Sequence, residues 1–116
     1  MFMKIIISIL ITIFFTSCKE KIPATAKTET FKVWGNCGMC EETIEGSLKE
    51  VGIFKADWDQ NSKIMVVSYD PAKYDLVDLH KKIAVTGYDT EMEKGNDEAY
   101  NNRPECCKYE RKPQPQ

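Results

Sequence analysis

Two cysteines three positions apart, Cys37 and Cys40, lie in the stretch Trp34-Gly35-Asn36-Cys37-Gly38-Met39-Cys40. A thiolate pair at that spacing can clip a soft metal ion or cycle through a disulfide. Two thiols can also be no more than small apolar packing. A second pair, Cys106 and Cys107, is adjacent in sequence, and Cys18 stands alone near the start. Adjacent cysteines rarely bond to each other, because the small ring strains the peptide between them. Cys106 and Cys107 are therefore partners for disulfides elsewhere, extra metal ligands, or idle thiols. The lone histidine, His80, sits between Leu79 and Lys81 in a helix-like run and is expected on the surface.

The elements around the first pair position it. Thr28 to Trp34 alternates, with Phe31 and Val33 on one face, and reads as a strand. Cys40, Ile44, Leu48 and Val51 then recur at helical spacing, which predicts a helix from Gly38 to Val51 that Gly52 ends. Cys37 is thus in the loop leaving the strand and Cys40 in the first helical turn. Unpaired backbone N–H groups and the positive end of the helix dipole favour thiolate there. Packing alone accounts for Cys40 but not for Cys37 in a polar, Gly-rich loop. Glu41 and Glu42 beside the pair either steer a basic partner or simply complement the dipole.

Further on, Ile53–Asp59 and Lys63–Tyr69 read as strands around the turn residues Gln60-Asn61-Ser62, and Asp70-Pro71 stops the second. Leu76, Leu79 and Ile83 form a helical face closed by Gly87, and Tyr88–Glu93 is a short last strand. The order βαββαβ over residues 29–93 is the split βαβ, ferredoxin-like α+β sandwich: a four-stranded antiparallel sheet with both helices on one face. Its expected core is Phe31, Val33, Ile44, Leu48, Ala56, Trp58, Ile64, Val66, Leu79 and Ile83. Residues 94–116 are polar and read as a mostly irregular, partly disordered tail.

The chain has 116 residues, enough for one compact domain. With 16 Lys+Arg against 18 Asp+Glu it has no basic field, which argues against nucleic acid as a partner. At the start, Lys4 precedes an apolar run, Ile5 to Phe15, which suits a secretory signal. That run is too short to span a bilayer, which takes about 20 residues. Phe15-Thr16-Ser17-Cys18 resembles the lipobox of bacterial lipoproteins. That resemblance implies a signal peptide over 1–17, lipid on Cys18 and a polar tether over 18–28. The chain would then be anchored in the bacterial cell envelope, facing periplasm or exterior.

The Cys-x-x-Cys between first strand and first helix, "IEGSLKEVGI", "SYDP" and "TGYDT" together resemble the heavy-metal-associated domain family, from about Thr30 to Met92. The family includes copper chaperones, modules of metal-exporting ATPases and a periplasmic mercury-binding protein. The resemblance implies that Cys37 and Cys40 are the metal ligands and that Tyr88 packs beside their loop. Asn36, adjoining Cys37, is a second supporting candidate. One departure is Gly35, where the family usually has a methionine tucked under the loop, and this bears on loop rigidity and metal preference. Met39 occupies a variable, typically exposed position.

Two soft thiolates without nearby imidazole favour Cu(I), with Zn(II), Hg(II) and Cd(II) as alternatives. An ion so held can pass by ligand exchange to a metal-exporting ATPase or another envelope metal-handling protein, or stay sequestered. The alternative is a thiol–disulfide oxidoreductase using the same pair. The tail adds a question. The 13 positions from Glu93 to Cys106 reach about 40 Å when extended, enough to return Cys106 and Cys107 to the loop. That return would make a three- or four-sulfur site or a disulfide-protected resting form; otherwise the tail is a separate docking segment.

Overall fold

The alternating run before the cysteine loop forms β1 (Lys27–Lys32), and the loop leads into helix α1 (Gly38–Gly46). Strands β2 (Ile53–Trp58) and β3 (Ile64–Tyr69) and helix α2 (Leu76–Val85) follow. This computed structural model describes residues 22–113. The expected signal peptide, Cys18 and the first tether residues lie outside the described residues.

The sheet is antiparallel in the order β1-β3-β2. Met65 stands opposite both Phe31 and Trp58, so one row of large side chains crosses all three strands. Ile44 and Leu48, together with Leu79 and Ile83 of α2, join that row in a single core cluster. Both helices therefore cover the same face of the sheet, the α+β sandwich expected from the element order.

Three details depart from expectation. The inward residues of β3 are Met65, Val67 and Tyr69, whereas Ile64 is exposed and Val66 only half-buried. Lys63–Tyr69 is apolar on both faces, so alternation cannot choose between them, and a one-residue slip inverts every side chain. Pairing with Phe31 and Trp58 decides. Helix α1 stops at Gly46 rather than Gly52, leaving Val51 82 % exposed. Glycine weakens a helix, and the Ser47 hydroxyl bonds the Ile44 carbonyl at 2.6 Å, a local alternative to helix continuation.

The third departure is the fourth strand. Among the described residues it shrinks to one bridge, Val33 to Thr90, flanked by Trp34 N–H to Asp89 O (2.9 Å) and Glu91 N–H to Lys32 O (3.2 Å). It lies on the edge beside β1 but turns away at once, because the Thr90 N–H donates to Glu93 O at 2.8 Å. Among the described residues the sheet is three-stranded. This segment also explains why His80 is buried, not exposed: Thr90 Oγ1 lies 2.6 Å from its Nδ1, and its ring meets Phe31 at 3.9 Å.

Most of the described residues after 93 have no regular secondary structure, but the stretch is packed rather than solvated. It carries a short helix α3 (Asp97–Asn101) and a single 3₁₀ turn over Glu105–Cys107, and it packs back on the domain. Tyr109 is buried, stacking on Tyr88 at 5.3 Å and meeting Tyr100 edge-on at 5.1 Å. Its hydroxyl donates to Gly87 O (2.7 Å) and accepts from Asp89 N–H (2.9 Å). Arg111 grips the buried Asp89 carboxylate with two nitrogens, at 2.8 and 3.1 Å. Gly95 presses backbone against backbone: a Cβ there would sit 2.7 Å from the carbonyl carbons of Gly87 and Tyr88.

Candidate metal centre

Strand β1 delivers Val33 and Trp34 to one end of the sheet, and the loop to α1 turns there. Cys37 is the residue capping α1, and Cys40 is its third helical residue. Their sulfurs are 3.6 Å apart. Cys37 is half-exposed and Cys40 fully buried; both are free thiols. The Cys37 thiol is held below the ordinary cysteine value, chiefly by the influence of the nearby Cys40 backbone N–H, although no cap hydrogen bond to its sulfur is formed. Burial opposes this, and the Cys40 side chain, the Met39 N–H and the Cys107 side chain add to it. The expected thiolate bias at a helix start therefore has a named source.

Asn36 ties this loop together. Its Oδ1 accepts from the Cys40 thiol at 3.0 Å, and its N–H points at the Cys40 sulfur at 3.5 Å. Its Nδ2 donates to the Cys106 carbonyl at 3.3 Å, so one side chain touches both cysteine pairs. Tyr88 is fully buried beside Cys40. Burial pushes its phenol well above the usual range, and the neighbouring Cys40 side chain is the next contributor. The Arg103 guanidinium lies 3.9 Å over the Tyr88 ring and donates to its hydroxyl at 2.7 Å.

Gly35, the position departing from the family pattern, has a steric reason. A Cβ there would meet the Trp58 ring at 2.9 Å and Cys40 Cβ at 3.3 Å. Trp58 is clamped in turn by its indole N–H, which donates to Val33 O at 3.1 Å. The indole thus packs beneath the loop and leaves no room for a side chain at 35. Reading Trp58 only as core missed this; the large-for-small exchange between positions 58 and 35 was the available signal.

The tail brings Cys107 and Cys106 to the same end. Cys107 is buried, with its sulfur 3.8 Å from Met39 Sδ and 3.6 Å from Cys106. Its thiol is pushed up to about 11 by the Cys106 side chain, then by burial, with Cys37 contributing. Exposed Cys106 borders the same surface recess as Cys37, Met39, Glu41 and Glu45. The four sulfurs do not meet at one point. Among the described residues, the one set of three ligand-type groups lying mutually within 4.8 Å is Glu41, Glu45 and Asp57, an acidic patch beside the pair. The anchors Tyr109, Arg103 and Arg111 had gone unnoticed as supports of the site; their signal was aromatic and guanidinium side chains in an otherwise polar tail.

Residues 30–89 match the model of the heavy-metal-associated domain. Among solved structures, the "CopZ metallochaperone" is 29 % identical, with 55 % of this chain and 98 % of that one aligned at a TM-score of 0.53. Oxidized MerP from Ralstonia metallidurans CH34 is 31 % identical over 57 % of this chain and 94 % of its own, also at 0.53. A copper binding domain from HMA7, a P-type ATPase, is 26 % identical over 55 % and 89 %, again at 0.53. No curated protein sequence matches the chain.

Proposed function

Because the chain belongs to the heavy-metal-associated domain family, we propose that it is a non-enzymatic protein that holds a soft metal ion, Cu(I) foremost, on the thiolates of Cys37 and Cys40. The observation that carries this reading is the pair itself: two sulfurs 3.6 Å apart at the rim, one half-exposed and held below the usual thiol range. Soft thiolate donors without imidazole suit Cu(I), and Zn(II), Hg(II) and Cd(II) are the competing cargoes. The similarity to a metallochaperone and to a domain of a P-type ATPase supports delivery to a metal-exporting ATPase or a related envelope protein. Anchoring through lipid on Cys18, at the bacterial cell envelope, completes the proposal.

Anaerobic Cu(I) titration against competing chelators, followed by native mass spectrometry, tests it. The wild-type chain should bind one ion that Cys37→Ser loses, whereas equal affinity in the variant would end the reading. Insulin reduction separates it from the oxidoreductase alternative. Robust turnover dependent on Cys37 would favour that enzyme; none is expected.

A further inference from the structure

We propose that the tail completes the metal site: an ion held by Cys37 and Cys40 takes its third sulfur from Cys107 of the same chain. This rests on the reading of Cys37 and Cys40 as the binding pair. It adds a ligand, and with it a bias from passing the ion on toward retaining it.

The geometry of the pair leaves room for a further donor. Metal–thiolate bonds of about 2.3 Å would put two sulfurs about 4.6 Å apart across a linear ion. The observed separation is 3.6 Å, which bends the seat and opens one side. The tail lies beside the pair. Cys107 Sγ is 3.8 Å from the sulfur of Met39, the residue inside the Cys-x-x-Cys, and Asn36 holds the Cys106 carbonyl at 3.3 Å. Cys106 borders the same recess as Cys37.

The tail is also held there independently of any ion. Tyr109 locks behind Tyr88, Arg111 behind Asp89, and Arg103 over Tyr88, the three tail anchors lying within four residues of Cys107. Little ordering entropy is therefore left to oppose binding. Because no three sulfurs among the described residues lie mutually within 4.8 Å, closure needs movement of the Cys107 thiol, in the 3₁₀ turn over Glu105–Cys107, toward the pair. Each of the three thiols releases a proton to solvent as it binds, and the copper stays Cu(I). An ion with three thiolates from one chain has no open position for a partner's sulfur, so transfer slows.

The test uses the full reduced chain loaded anaerobically with one equivalent of Cu(I). X-ray absorption should count three sulfurs in wild type and in Cys106→Ala, and two in Cys107→Ala. Competition with bathocuproine disulfonate should show Cys107→Ala about tenfold weaker. Alanine keeps the buried position apolar, and circular dichroism reports whether the variant folds. If it does not, cadmium-113 NMR of the wild-type chain counts thiolates without any substitution. A wild-type count of two, or a folded Cys107→Ala with unchanged count and affinity, overturns the proposal while leaving the pair intact. Wild-type affinity in Cys37→Ser is the separate result that would remove the pair itself.

Discussion

The two cysteine pairs share one dimension and little else. Each has its sulfurs 3.6 Å apart, and each sets one buried thiol beside a more exposed one. Yet Cys37 lies below the ordinary thiol range and Cys107 is pushed up to about 11. The backbone makes the difference. Cys37 caps a nine-residue helix whose first N–H groups lack intrahelical partners, and the nearby Cys40 N–H is the largest influence lowering its thiol. Cys107 ends a three-residue 3₁₀ turn with a second thiol as its main electrostatic neighbour. Proximity of sulfurs alone does not make a ready metal clip; oriented donors do.

The contrast can be broken from several directions. The largest effect is expected from Tyr109→Ala, which removes the ring filling the space behind Tyr88. It should lower stability by about 3 kcal/mol in chemical denaturation, while the loop pair keeps its reactivity. Next is Gly35→Ala: its Cβ has nowhere to go against Trp58, and about 1–2 kcal/mol of destabilisation is expected in the same assay. An unperturbed Gly35→Ala would mean that the indole is not fixed beneath the loop.

Thiol titration sharpens the contrast directly. Alkylation followed by peptide mass spectrometry should show Cys37 reacting with a midpoint below the ordinary value of 9.0, and Cys107 only near pH 11. Identical midpoints would erase the distinction. The smallest effect concerns His80, whose pKa burial lowers. The unfolded chain then binds the proton first, so stability is complete above about pH 6.5 and falls as pH drops below it. The slope should not exceed about 1.4 kcal/mol per pH unit for one group. His80→Gln should flatten that limb of the acid profile.

How much of this was legible in the residues depends on whether the signal was local. The loop between β1 and α1, with Cys37, Cys40 and Asn36, follows from one alternating run meeting one helical stripe. The choice of face on β3 does not, because Ile64, Met65, Val66 and Val67 are all apolar and only the strands alongside distinguish them. The stop at Gly46 required weighing a glycine and a serine against an apolar Val51 that goes unburied. His80 and the fourth strand were out of reach for a related reason: both depend on Thr90, whose hydroxyl and N–H go to partners distant in sequence or outside any ladder. Gly35 was legible as a departure, but its cause lies at Trp58. The tail's polarity concealed Tyr109, since a few aromatics and arginines with specific partners can anchor a segment that average composition marks as solvated.

The bond between Arg111 and Asp89 bears on where this protein can be cut. The family match ends at residue 89, at the very carboxylate that Arg111 neutralises 22 positions later. A fragment trimmed to the matched span would uncover Tyr88 and strand a buried anion without its cation. The inherited unit is thus smaller than the cooperative one, and an expression boundary drawn from homology alone would sever a keystone rather than trim a fringe.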